Sequence, residues 1–101
     1  MALHTVATTN DLPPGSAMCV EVEGTMIALF NVDGTYYAID DECPHSGGPL
    51  SEGDVDGCAV ECPWHGASFN LKDGSVQCPP ADDGVKAYRV EVDGDDIRIE
   101  K

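Results

Sequence analysis

Positive charge is nearly missing from this chain: five Lys and Arg stand against nineteen Asp and Glu in 101 residues, a formal net charge of −14. All five cations, Lys72, Lys86, Arg89, Arg98 and Lys101, lie in the last thirty residues, so the first 71 hold eleven acids and no Lys or Arg. Such a field repels phosphate backbones and anionic bilayers, which argues against nucleic acid and membrane as partners. A protein with a basic patch fits better, the alternative being that the acids only keep the chain soluble. A long apolar run is also lacking. The longest, Thr25 to Phe30, is far below the roughly 20 residues a membrane-spanning helix needs. The start Met1-Ala2-Leu3-His4-Thr5-Val6 has neither the basic residues nor the apolar run of a secretory signal, so a cytoplasmic location is expected. No long amphipathic helix, internal repeat or linker is visible, nor a Ser-His-Asp set, phosphate loop or dinucleotide fingerprint. A chain of this length builds one compact core, so a single domain over residues 1–101 is expected.

What is abundant is turn chemistry. Pro13-Pro14-Gly15, Glu23-Gly24, Asp33-Gly34, Asp73-Gly74 and Asp93-Gly94 punctuate the chain, and Asp-Gly between apolar runs signals a hairpin. Strands are expected at 16–22, 25–32, 35–39, 58–62, 67–71, 75–78, 85–92 and 96–100, segments short and rich in β-branched or aromatic residues. Met18, Val20 and Val22 alternate with Cys19, Glu21 and Glu23, the period of a half-buried strand. The fold class is therefore all-β, an antiparallel sandwich or barrel whose hairpins stack in sequence order.

Two Gly- and Pro-bearing loops, about 41–56 and 62–70, interrupt the strand rhythm. The first contains Cys43-Pro44-His45-Ser46-Gly47-Gly48-Pro49-Leu50, the second Cys62-Pro63-Trp64-His65-Gly66-Ala67-Ser68-Phe69. Each offers one thiolate and one imidazole. Two sulfurs and two nitrogens suit zinc or an iron–sulfur cluster and do not suit calcium or magnesium, which take oxygen. On ligand type alone a structural zinc module is the commoner outcome. Five cysteines, an odd number, make a disulfide scaffold the weaker reading. Cys19, Cys58 and Cys78 are expected to be small packing residues.

Cys-x-His, sixteen residues, then Cys-x-x-His, with Gly and Pro after the first pair, resembles the Rieske family of [2Fe–2S] proteins. The likeness runs through nearly the whole chain, including a Gln77-Cys78-Pro79-Pro80-Ala81 turn and the closing hairpin at Asp93-Gly94. It implies one [2Fe–2S] cluster with Cys43 and Cys62 on one iron and His45 and His65 on the other. Two histidines in place of two cysteines raise the potential above that of an all-cysteine cluster. Gly47, Gly48 and Gly66, lacking a Cβ, would let backbone N–H groups approach the sulfides, and Pro79-Pro80 would cover the cluster.

The departures are informative. High-potential Rieske proteins carry an extra cysteine in each loop, where this chain has Gly48 and Trp64, and they offer Ser and Tyr hydroxyls where it has Ala67 and Phe69. Without those donors the potential is expected near the low end of the Rieske range, roughly −150 mV. An oxygenase of the same family also needs a mononuclear iron on two histidines and a carboxylate, and only His4 remains once the cluster is built. The resemblance thus implies a one-electron carrier with no catalytic site, a monomeric ferredoxin taking electrons from a nicotinamide-dependent reductase to a terminal oxygenase. A small subunit of a nitrite reductase is the alternative within the family. Asp40, Asp41, Glu42, Glu52, Asp54 and Asp56 flank the first loop and are expected to steer basic docking patches on those partners.

Overall fold

A computed structural model describes residues 2–42, 49–63, 68–78 and 84–101. The strands are β1 (Leu3–Thr8), β2 (Ala17–Val22), β3 (Thr25–Val32), β4 (Thr35–Asp40), β5 (Asp54–Asp56), β6 (Ala59–Glu61), β7 (Ser68–Asn70), β8 (Val76–Cys78), β9 (Ala87–Tyr88), β10 (Val90–Asp93) and β11 (Asp96–Glu100). Among the described residues the helical pieces are two three-residue 3-10 turns, Thr9–Asp11 and Leu50–Glu52, and none is long and apolar enough to cross a membrane.

Three antiparallel sheets result, in the orders β1-β11-β10, β2-β3-β4-β9 and β5-β6-β7-β8. β2-β3 and β3-β4 close through two-residue turns in which both central residues have positive φ, Glu23 (51°) with Gly24 (82°) and Asp33 (52°) with Gly34 (91°). That handedness matches the right-handed strand twist.

The middle sheet separates two apolar clusters. Ala28, Phe30 and Ile39 face Leu50, Val60, Cys62, Phe69 and Leu71 of the third sheet and its approach, while Ile27, Leu29 and Ala38 face Ala7, Leu12, Val20, Val22, Ile97 and Ile99. β3 is therefore buried on both faces. This explains why Thr25 to Phe30 reads as a continuous apolar run, where its neighbour β2 alternates with Cys19 and Glu21 exposed. Asn31, buried at the end of β3, is satisfied on both sides: its amide donates to the Leu12 carbonyl (2.8 Å) and its Oδ1 accepts from the Gly34 N–H (2.8 Å).

The all-β expectation holds, and four details are corrected. β1 was not expected; it is a half-exposed strand whose partner, β11, lies at the other end of the chain. β5 lies inside the expected first loop, whereas β7 (Ser68–Asn70) falls within the expected strand 67–71. The expected strand 85–92 divides at Arg89, because Ala87 and Tyr88 pair with β4 whereas Val90 to Asp93 pair with β11. Finally, the hairpins do not stack in sequence order. β4 pairs with β9, so the whole β5-β6-β7-β8 sheet is an excursion between them.

The chain returns from that excursion over a close backbone contact. Val85 donates its N–H to the Gly74 carbonyl (2.8 Å), and a Cβ on Gly74 would strike the Val85 carbonyl oxygen. Gly74 also has φ +77°, so glycine is required there twice over.

Candidate metal centre

Both expected ligand loops meet at one end of the third sheet, the first entering it from β4 and the second joining β6 to β7. Cys62 and Pro63 follow the last residue of β6, and the pairing of Glu61 with Ser68 closes the 62–67 loop as a hairpin. Asp54, the first residue of β5, is paired with Glu61, so the 49–53 segment that ends the first loop enters at the same end. Cys78 pairs with Ser68, which brings the exit of β8 there as well. Of the four expected ligands, Cys62 is described; Cys43, His45 and His65 lie outside the described residues, as do Gly47, Gly48, Trp64, Gly66, Ala67, Pro79 and Pro80.

Cys62 is 1% exposed and packs in the cluster of Phe30, Leu50, Val60, Phe69 and Leu71. Phe69 is fully buried in the same cluster and brings no hydroxyl. A thiolate in such surroundings needs compensation, and a metal provides it. Among the described residues no three His, Cys, Asp or Glu side chains gather as a metal site. The two-sulfur, two-nitrogen donor set still fits an iron–sulfur centre with two histidine ligands, because the second loop starts and finishes beside the buried Cys62 and the first loop finishes at the same end of the sheet.

The base of the first loop is pinned by Asp41. Glu42 and Pro49 form an isolated bridge, the Leu50 N–H donates to the Asp41 carbonyl (2.7 Å), the Ser51 N–H donates to Asp41 Oδ1 (2.8 Å), and the Asp41 N–H donates to the Met26 carbonyl (3.1 Å). Asp41 is 8% exposed. Its neighbour Asp40 holds the returning segment: Tyr88 donates its hydroxyl to Asp40 Oδ1 (2.7 Å), the Lys86 N–H donates to Oδ2 (3.3 Å), and the Asp40 N–H donates to the Lys86 carbonyl (3.0 Å). Burial first, then the bond to Asp40 and its charge, push the Tyr88 phenol up. Asp40 and Asp41, expected as steering charges, are thus tied into the framework. Glu42, Glu52, Asp54 and Asp56 are exposed, and Glu61, not singled out from the sequence, joins them directly across from Asp54. Among the described residues none of these five is ion-paired; the pairs gather on Glu23 and the β1-β11-β10 sheet with its flanks.

The remaining cysteines divide. Cys58 is half-buried with its Sγ 3.9 Å from the Tyr37 hydroxyl, in keeping with a packing role, and that contact is the main cause raising the Tyr37 pKa. The expectation for the Cys78 side chain lies outside what is described. Cys19 is exposed, contrary to expectation, because its position in β2 points away from the Val20 and Val22 face. Its thiol donates to Asp41 Oδ2 (3.4 Å), and desolvation, followed by that bond and the carboxylate charge, pushes its pKa from 9.0 up to about 11. At pH 8 its thiolate is about a hundredfold scarcer than an ordinary one, offset in part by greater nucleophilicity, so a disulfide reagent should modify Cys19 about tenfold slower than in the unfolded chain. Peptide-resolved labelling checks this, and equal rates in folded and unfolded protein would refute it. Because the folded pKa is the higher, this stabilisation is full below pH 9 and is lost as pH rises through about 11.

Comparison with known proteins agrees with this geometry. The family model of the Rieske [2Fe-2S] domain matches residues 2–89. The 3-phenylpropionate/cinnamic acid dioxygenase ferredoxin subunit of Escherichia coli (strain K12) is 47% identical over 91 residues, 89% of this chain and 85% of that one. The ferredoxin of carbazole 1,9a-dioxygenase from Nocardioides aromaticivorans IC177 superimposes with a TM-score of 0.93 at 30% identity, over 98% of this chain and 97% of that chain. A chain from the complex of reduced oxygenase and oxidized ferredoxin in carbazole 1,9a-dioxygenase gives 0.89 at 32% identity, over 96% and 91%. The chain therefore belongs to the Rieske [2Fe-2S] domain family, and its cofactor is one [2Fe–2S] cluster.

Proposed function

We propose that Cys43, His45, Cys62 and His65 hold the cluster and that the chain, a single soluble cytoplasmic domain over residues 1–101, is the ferredoxin of an oxygenase system. It takes electrons singly from a nicotinamide-dependent reductase and delivers them to a terminal oxygenase, acting as a monomer with no catalytic site of its own. The bound cluster supplies a one-electron redox couple. The protein's part is to keep Cys62 in a dry, rigid setting, to close the base of each loop, and to present charge to its partners. The observation that carries this reading is the convergence of both loop bases on the buried end around Cys62, in a chain whose relatives are named as dioxygenase ferredoxin subunits.

The deciding experiment is visible absorption before and after dithionite, with iron and acid-labile sulfide counted. Colour that bleaches, with about two irons and two sulfides per chain, is expected. A colourless protein holding one zinc would overturn the proposal. A stable stoichiometric complex with a large sirohaem protein would instead favour the nitrite reductase alternative.

Glu42, Glu52, Asp54, Asp56 and Glu61 support a basic docking patch on each partner. Like charges directly across a strand pair destabilise it, yet Asp54 faces Glu61 where the loops emerge. The rate of cluster reduction by the reductase should fall about tenfold or more between roughly 10 mM and 300 mM salt, as expected for steered association. A rate independent of salt would remove the steering role.

A further inference from the structure

Asp40 ends β4 and Asp41 follows it, and the two consecutive acids hold separate segments. Asp41 reaches the 3-10 turn Leu50–Glu52, where the chain leaves the first ligand loop: its carboxylate takes the Ser51 N–H and its carbonyl the Leu50 N–H. Asp40 reaches Lys86 and Tyr88, where the chain returns after residues 79–83. β4 itself is fixed by six register pairs to the doubly buried β3. Both returning segments are therefore referred, through β4, to the strand buried on both faces.

We propose that Asp40 and Asp41 are positioning residues for electron transfer, Asp41 tying the exit of the first ligand loop and Asp40 the return from residues 79–83 to the end of β4, and that neither is a docking charge. The inference rests on the function proposed above. Hydrogen bonds to an ionised carboxylate are about twice as strong as neutral ones, and a half-buried amide such as that of Ser51, left without its acceptor, favours local opening. Loosening at Ser51 acts directly on the stretch that ends at Pro49 and closes the first loop through its bridge to Glu42. Loosening at Tyr88 acts on the segment that follows residue 83.

The test compares Asp41→Ala, Asp41→Asn and Tyr88→Phe with the wild-type holoprotein in iron release to a chelator, in the EPR spectrum of the reduced protein, and in the salt dependence of reduction by the reductase. Asp41→Ala should release iron about tenfold faster and shift the EPR spectrum. Asp41→Asn, which keeps an acceptor for the Ser51 N–H, should restore most of the retention, leaving about a two- to threefold difference. Tyr88→Phe, which removes one hydroxyl and keeps the ring, should accelerate release about threefold. The salt slope should be that of wild type in all three. Wild-type iron release and EPR with a flattened salt slope would overturn the proposal and make the acids docking charges. Should Asp41→Ala fail to fold, unchanged iron release in both Asp41→Asn and Tyr88→Phe overturns it equally. A wild-type chain without iron and sulfide would overturn the cluster-ligand reading before any variant is made, so the two failures are told apart.

Discussion

Cys62→Ala gives a colourless protein: iron falls from about two per chain to near zero, and the visible bands that bleach with dithionite disappear. The expected loss is nearly complete because a cluster is held by all its ligands at once and binding is linked to folding of the site. Serine does not rescue, since a hydroxyl is a poor ligand for a soft metal. Cys58→Ala is the control. Cys58 sits four residues earlier, half-buried against Tyr37, and would be recruited if the centre were a zinc site built from the nearest thiols. Its replacement should keep colour and iron stoichiometry and cost about 1 kcal/mol of stability. Loss of colour in Cys58→Ala, or its retention in Cys62→Ala, would reassign the ligands. Absorption and iron content of the two purified variants decide between these outcomes.

The legible parts of the molecule were those with local causes. β2 and β11 follow from alternation, and β3 and β4 from their apolar and aromatic content between the Glu23-Gly24 and Asp33-Gly34 signals, because a two-residue turn fixes its own register; Asp93-Gly94 marks the last hairpin. The last shifts slightly, with Asp93 paired to Asp96 so that Gly94 and Asp95 form the loop. What escaped was decided by distant partners. β1, Leu-His-Thr-Val-Ala-Thr, lacks a strict polar-apolar alternation and has no turn to announce a hairpin, since its partner β11 lies about ninety residues away. β5 is Asp-Val-Asp, acidic, exposed and with a poor strand former on either side of Val55, held by its pairing with β6. The break at Arg89 has no local signal either, because it marks a change of partner from β4 to β11. The ligand loops stood out by their Cys, His, Gly and Pro, whereas the residues that fix their bases did not. Asp40 and Asp41 look like any loop acids until Lys86, Tyr88, Leu50 and Ser51 are brought against them. A carboxylate's task depends on what folds next to it.

Phe30→Ala should be strongly destabilising, and it should act on the cluster half of the molecule. Phe30 and Ile27 lie on the same doubly buried strand, both fully buried, but on opposite faces. Truncating a buried Phe or Ile removes transfer energy and leaves a cavity, about 3–5 kcal/mol for Phe and about 2–5 kcal/mol for Ile. For a domain of this size that lowers the melting temperature by roughly 10–30 °C. The global costs are similar, yet the local consequences should differ. Phe30 packs in the cluster that contains Cys62, Leu50, Val60 and Phe69, so its cavity loosens the third sheet against the middle one where both ligand loops are rooted. Ile27 packs toward Ala7, Leu12, Ile97 and Ile99, and its cavity opens between the middle sheet and the sheet of the chain ends. At a temperature where both variants remain folded, Phe30→Ala should therefore release iron to a chelator at least tenfold faster than Ile27→Ala. Equal release rates would mean that the two cores open together as one cooperative unit, and that the middle sheet transmits disorder from either face to the loops.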